Sequence, residues 1–149
     1  MHGDTTTSFS AAFAAFNNGI PVGHVEAGLG THNLEAPFPE EAKRQLTARI
    51  ATWHFAPTDY SKKCLMQEGV KENKILVTGN TVIDALFYMK NKIQRGEVEF
   101  SLDEKITNLI NEKRPYVLVT GHRRESFGKG FLNICESIKA LAGKFQNWH

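Results

Sequence analysis

Short apolar runs alternate along this chain with segments of helical periodicity, and that alternation restricts the fold more than any other feature. Residues 19–25 form an apolar run punctuated by Pro21 and Gly23, residues 52–56 a second centred on Trp53-His54-Phe55, and residues 74–77 a third. Each has the length of a buried strand and is too short for an independent helix. Between them, Phe9, Ala12, Phe13 and Phe16 take the i, i+3, i+4, i+7 spacing of one helix face over residues 8–17, with Gly19 as the stop. Pro39-Glu40-Glu41 opens a helix expected to reach about Ile50, since proline and acids suit a first turn. Thr58 or Asp59 caps another helix through Gln67, and Thr78-Gly79-Asn80-Thr81 turns into one carrying Val82, Ile83, Leu86 and Phe87. Repeated strand-then-helix units imply an α/β fold with a parallel, Rossmann-like sheet.

Residues 90–113 break the pattern. They are rich in Lys, Glu and Asn, hold one amphipathic stretch with Ile106, Leu109 and Ile110, and read as a linker between domains. A fourth buried strand is expected over residues 116–119 and a further helix over about 130–142. This divides the chain into residues 1–89, 90–113 and 114–149. The opening Met1-His2-Gly3-Asp4 has the look of a strand end and its turn, so the N-terminus is expected to be truncated.

Composition excludes several classes of function. A formal net charge of +2 with scattered basic residues gives nucleic acid no patch to bind, and no apolar stretch approaches a membrane span. The N-terminus carries no basic segment followed by an apolar one, so a cytoplasmic protein is expected. Cys64 and Cys135 lie far apart within helical patterns, which suits buried thiols better than a disulfide or a metal site.

Chemistry in open α/β sheets gathers where strands end. Three predicted strand ends deliver able residues: Asp4 after His2-Gly3, Glu26 after Val25, and His122 after Thr120-Gly121. With Glu40 at a helix start, these form the candidate catalytic set. Plainer roles fit the same residues, since Asp4 serves equally as a helix cap and Glu40 as a first-turn acid. His122 precedes Arg123 and Arg124 in a loop ahead of a helix, an arrangement suited to a diphosphate. Neither a P-loop nor a Gly-x-Gly-x-x-Gly motif is present. His2, His24, His32 and His54 lack metal-ligand spacing and read as packing or surface residues, so neither metal nor cofactor is expected.

Taken together, His2-Gly3-Asp4-Thr5-Thr6-Thr7, His24-Val25-Glu26-Ala27-Gly28-Leu29, Pro37-Phe38-Pro39-Glu40-Glu41, Thr78-Gly79-Asn80-Thr81-Val82-Ile83-Asp84 and Thr120-Gly121-His122-Arg123-Arg124-Glu125-Ser126 closely resemble the non-hydrolysing UDP-N-acetylglucosamine 2-epimerases. The resemblance covers nearly the whole chain but only the middle of a family member. It implies a two-domain, glycosyltransferase-B-like architecture, with 1–89 the end of the first Rossmann-like domain and 114–149 the start of the second. It also implies interconversion of UDP-N-acetylglucosamine and UDP-N-acetylmannosamine by elimination and re-addition of UDP, without a cofactor. Asp4, Glu26 and Glu40 match the family's functional carboxylates, and His122 matches the histidine placed near the UDP phosphates. The expected partner is UDP-N-acetylglucosamine or UDP, in a homodimer at full length. Two positions depart from the family pattern, Gly30 where Arg is usual and Lys43 where Asn is usual.

Overall fold

The computed structural model describes residues 1–99, 101–113, 115–120 and 128–144. It divides into two compact units, Met1–Gln94 and Arg95–His149. The first contains α1 (Thr6–Asn17), β1 (Gly23–Val25), α2 (Glu40–Ile50), β2 (Trp53–Ala56), α3 (Asp59–Gln67), a 3-10 turn (Glu72–Lys74), β3 (Ile75–Val77) and α4 (Thr81–Gln94). The second contains α5 (Glu104–Asn111) and α6 (Lys129–Lys144).

The strands form a parallel sheet in the order β1-β2-β3, as the alternating pattern requires. Register pairs Gly23 with Trp53, His24 with His54 and Val25 with Phe55, then His54 with Ile75, Phe55 with Leu76 and Ala56 with Val77. The free edge of β1 is extended by the chain start. Gly3 N–H donates to the Val25 carbonyl at 3.0 Å, Val25 N–H donates to the Met1 carbonyl at 2.7 Å, and His2 forms a parallel bridge with Val25. A small core lies beside the sheet, with Ala27, Ala56, Leu65 and Ile75 buried together and Val70 packed against them. Small residues at Ala27 and Ala56 let α3 approach the strands closely, which its contacts with β2 and β3 reflect. Helix α1 packs against α2.

Several expectations give way. The helix carrying Val82, Ile83, Leu86 and Phe87 forms, but all four side chains are exposed, and no other described element of the first unit makes more than slight contact with α4. It also runs to Gln94, into the stretch read as linker. Residues 116–119 are not a buried strand: they have no regular structure, and Leu118 is 82% exposed. A strand needs a ladder partner, and the second unit has no other strand among its described residues. Of the two cysteines expected to be buried, Cys64 is and Cys135 is exposed on α6.

Candidate functional site

Parallel pairing sends neighbouring strands out at the same edge of a sheet, and here that edge collects the acids. The bridge between His2 and Val25 aligns Gly3 with Glu26 and leaves Asp4 one residue further along, so both acids lie just past the paired residues. Helix α4 returns to this edge, because its first residue, Thr81, has Oγ1 3.2 Å from His2 Nε2. The same Nε2 lies 3.8 Å from Glu26 Oε2, with the His2 side chain 56% and the Glu26 side chain 27% exposed. His2, read from sequence as a packing or surface residue, thus stands between Glu26 and Thr81. Thr81 carried no assigned role either, although it lies in one of the motifs that mark the family resemblance.

Glu26 adopts φ 67°, a left-handed conformation that costs an L-residue about 1 kcal/mol. Such strain persists only where the surroundings over-determine it. Close packing at this corner includes Gly3, where an added Cβ would come within 3.4 Å of Glu26 Oε2.

The cap role open to Asp4 falls to its neighbour. Thr5 is the N-cap of α1, and its Oγ1 accepts the Ser8 N–H at 3.2 Å, while the Ser8 hydroxyl donates to the His2 carbonyl at 2.6 Å. Asp4, half-buried, makes no side-chain hydrogen bond or ion pair with a described residue. A parallel division of labour holds at α2. Glu41 is buried against Arg44, while Glu40, the first residue of the helix and half-buried, has no such partner among the described residues. Both candidate acids are left uncommitted to structure. Asp4 and Glu26 follow neighbouring strands at this edge, and Glu40 stands at the start of α2, at the far end of the loop that begins after Glu26. His122, Arg123 and Arg124 lie outside the described residues.

Behind this edge His24 is fully buried, its Nε2 3.0 Å from the Gly3 carbonyl. Among the described residues no group of three or more His, Cys, Asp or Glu is placed to hold a metal ion, and no helix is long and apolar enough to cross a membrane. In the second unit, an open apolar cleft of about 800 Å³ lined by Ile106, Leu109 and Val117 contains none of the candidate acids.

A family model described as UDP-N-acetylglucosamine 2-epimerase matches residues 1–149. A UDP-N-acetylglucosamine 2-epimerase of Yersinia pestis is 52% identical over 145 residues, covering 97% of this chain and 38% of that protein. The crystal structure of the Neisseria meningitidis UDP-GlcNAc 2-epimerase bound to UDP-GlcNAc superposes with a TM-score of 0.84 at 45% identity, covering 99% of this chain and 39% of that one. The Methanocaldococcus jannaschii enzyme in complex with UDP-GlcNAc and UDP superposes with a TM-score of 0.75 at 33% identity, over 99% of this chain and 41% of that one. The chain therefore spans about two fifths of the length of these relatives. Matched from its first residue to its last, it belongs to the UDP-N-acetylglucosamine 2-epimerase family.

Proposed function

We propose that a protein of the relatives' full length carrying this sequence interconverts UDP-N-acetylglucosamine and UDP-N-acetylmannosamine. The observation that carries this reading is the parallel bridge of His2 with Val25, which sends Asp4, without a described side-chain partner, and Glu26, beside His2, out of one sheet edge. Support also comes from the relatives crystallised with UDP-GlcNAc and UDP.

The chemistry asks for what this edge supplies. A carboxylate takes the C2 proton while the C1–O bond breaks and UDP leaves with the bonding pair, giving a 1,2-unsaturated sugar. UDP then adds back at C1 while a carboxylic acid delivers a proton to the opposite face of C2. One proton and one UDP are removed and one of each returned, so the net change is inversion at C2. Asp4, Glu26 and Glu40 serve as the carboxyl groups. His122, Arg123 and Arg124 meet the negative charge that grows on the departing diphosphate. No redox step occurs and no cofactor is required.

Residues 1–89 act as the C-terminal part of a first Rossmann-like domain and 114–149 as the start of a second, with 90–113 joining them. The reading includes a cytoplasmic homodimer. Both cysteines are free thiols, which suits a reducing compartment. In the full-length protein, NMR of the products is expected to give UDP-N-acetylmannosamine with UDP still attached, and Asp4→Asn, Glu40→Gln or His122→Ala to abolish it. Free N-acetylmannosamine with stoichiometric UDP, or near wild-type turnover in all three variants, would overturn the assignment.

A further inference from the structure

Glu26 and Glu40 are separated by a loop, residues 27–39, whose shape sets where one acid sits relative to the other. Its start is pressed against α3: Gly28 has φ 83°, and a Cβ there would collide with the Ser61 carbonyl. Its middle is held at two consecutive amides by Glu41, with His32 Nδ1 also 3.6 Å from Glu68 Oε1. Glu41 Oε2 accepts the Thr31 N–H at 3.2 Å and Glu41 Oε1 accepts the His32 N–H at 3.1 Å. Arg44 fixes that carboxylate through two bonds, Nε to Oε2 at 3.0 Å and Nη2 to Oε1 at 2.8 Å, and Gln45 Nε2 adds a third at 2.8 Å. The Arg44 guanidinium also reaches the end of α3, donating to Glu68 at 2.9 and 3.3 Å. Glu41 is 1% and Arg44 2% exposed.

We propose that Arg44 and Glu41 are positioning residues, a buried pair that holds the 27–39 loop by its Thr31 and His32 amides and so fixes Glu26 and Glu40 at their working separation. A buried ion pair gains little stability over apolar residues of similar size, because desolvation offsets the attraction. Its contribution is therefore geometric. The fork of Arg44 presents two carboxylate oxygens at a set angle to two consecutive amides, which no apolar pair can do. Gly30 lies against the same group: in this chain an added Cβ there would collide with the Arg44 guanidinium.

The inference rests on the epimerase reading for its kinetic consequence but not for its structural one. In the full-length protein, Glu41→Leu with Arg44→Met removes both charges together and avoids leaving either buried alone. The fold is expected to survive by circular dichroism, while amide exchange at Thr31 and His32 quickens about tenfold or more. The kcat for epimerisation should fall about a hundredfold, the scale of a misplaced reacting group, with KM for UDP-N-acetylglucosamine changing by less than about threefold. Where the double variant does not fold, Glu41→Gln, which keeps the shape and one acceptor oxygen, is read by the same two measurements. A folded variant with unchanged exchange and unchanged kcat overturns the proposal. If the wild type does not epimerise at all, the functional reading fails instead, and exchange at the two amides alone decides whether the pair holds the loop.

Discussion

His24 stands directly across the β1–β2 ladder from His54, and both imidazoles are buried. Neither Nδ1 has a partner among the described residues. Burial pushes His24 down to about 4; the Gly3 carbonyl works against this, and the charges of His54, the N-terminus and Arg44 add to it. Burial likewise lowers His54, with Glu68 opposing.

Acid should therefore loosen this sheet. Both imidazoles are neutral when folded, and on unfolding they return toward 6.5 and take up protons. Their depressed folded values make stability complete above about pH 6.5 and diminishing as pH falls toward 4. For His24 alone the loss by pH 5 is about 2 kcal/mol. The Glu41 carboxyl does not blur this window. Burial would raise it, but hydrogen bonds from Arg44, Gln45 and Thr31 together hold it at about 2, so its contribution persists to lower pH. Urea titrations at pH 7 and pH 5 are the check, with His24→Asn flattening the difference; equal midpoints in the wild type would refute the account.

Thr5 and Asp4 should separate stability from chemistry. Removing the cap in Thr5→Ala costs about 1 kcal/mol, since the Ser8 N–H loses its acceptor. Asp4→Asn, at a side chain without a described partner, stays within about 0.5 kcal/mol of wild type. Thermal melts of the two variants should fall in that order, and the reverse order would return the cap role to Asp4.

Gly30→Ala tests how tightly the buried pair is seated. Gly30 does not have the left-handed backbone of Gly28, so alanine meets no conformational penalty there, only the Arg44 guanidinium. That group is held by both Glu41 and Glu68 and cannot swing aside without breaking buried hydrogen bonds. A loss of about 2 kcal/mol in urea unfolding is expected. A neutral substitution would mean the guanidinium relocates freely.

Periodicity made the parallel sheet legible, because β1, β2 and β3 fall on the short apolar runs between helices and pair in parallel. Glu26 was readable as a strand-end residue for the same reason. What periodicity cannot supply is partnership. The apolar residues of α4 and of 116–118 look like core in sequence, yet burial depends on a facing element, and none covers them among the described residues. Cys135 failed as a buried thiol on the same ground. Choices between adjacent residues were also hidden. Thr5 rather than Asp4 caps α1, and Glu41 rather than Glu40 turns inward, because side-chain reach and helix phase decide which neighbour is spent on structure. His2 lies in a motif of the family resemblance but was given no role there, since only the long-range bridge to Val25 carries it to Glu26.

Incubating the full-length protein with UDP-N-acetylglucosamine in D2O and following C2 by NMR tests the central claim most directly. Deuterium should enter C2 of both UDP-N-acetylmannosamine and recovered UDP-N-acetylglucosamine, and Asp4→Asn or Glu40→Gln should suppress its entry. Epimer formed without deuterium at C2, or wild-type exchange in both variants, would contradict the account.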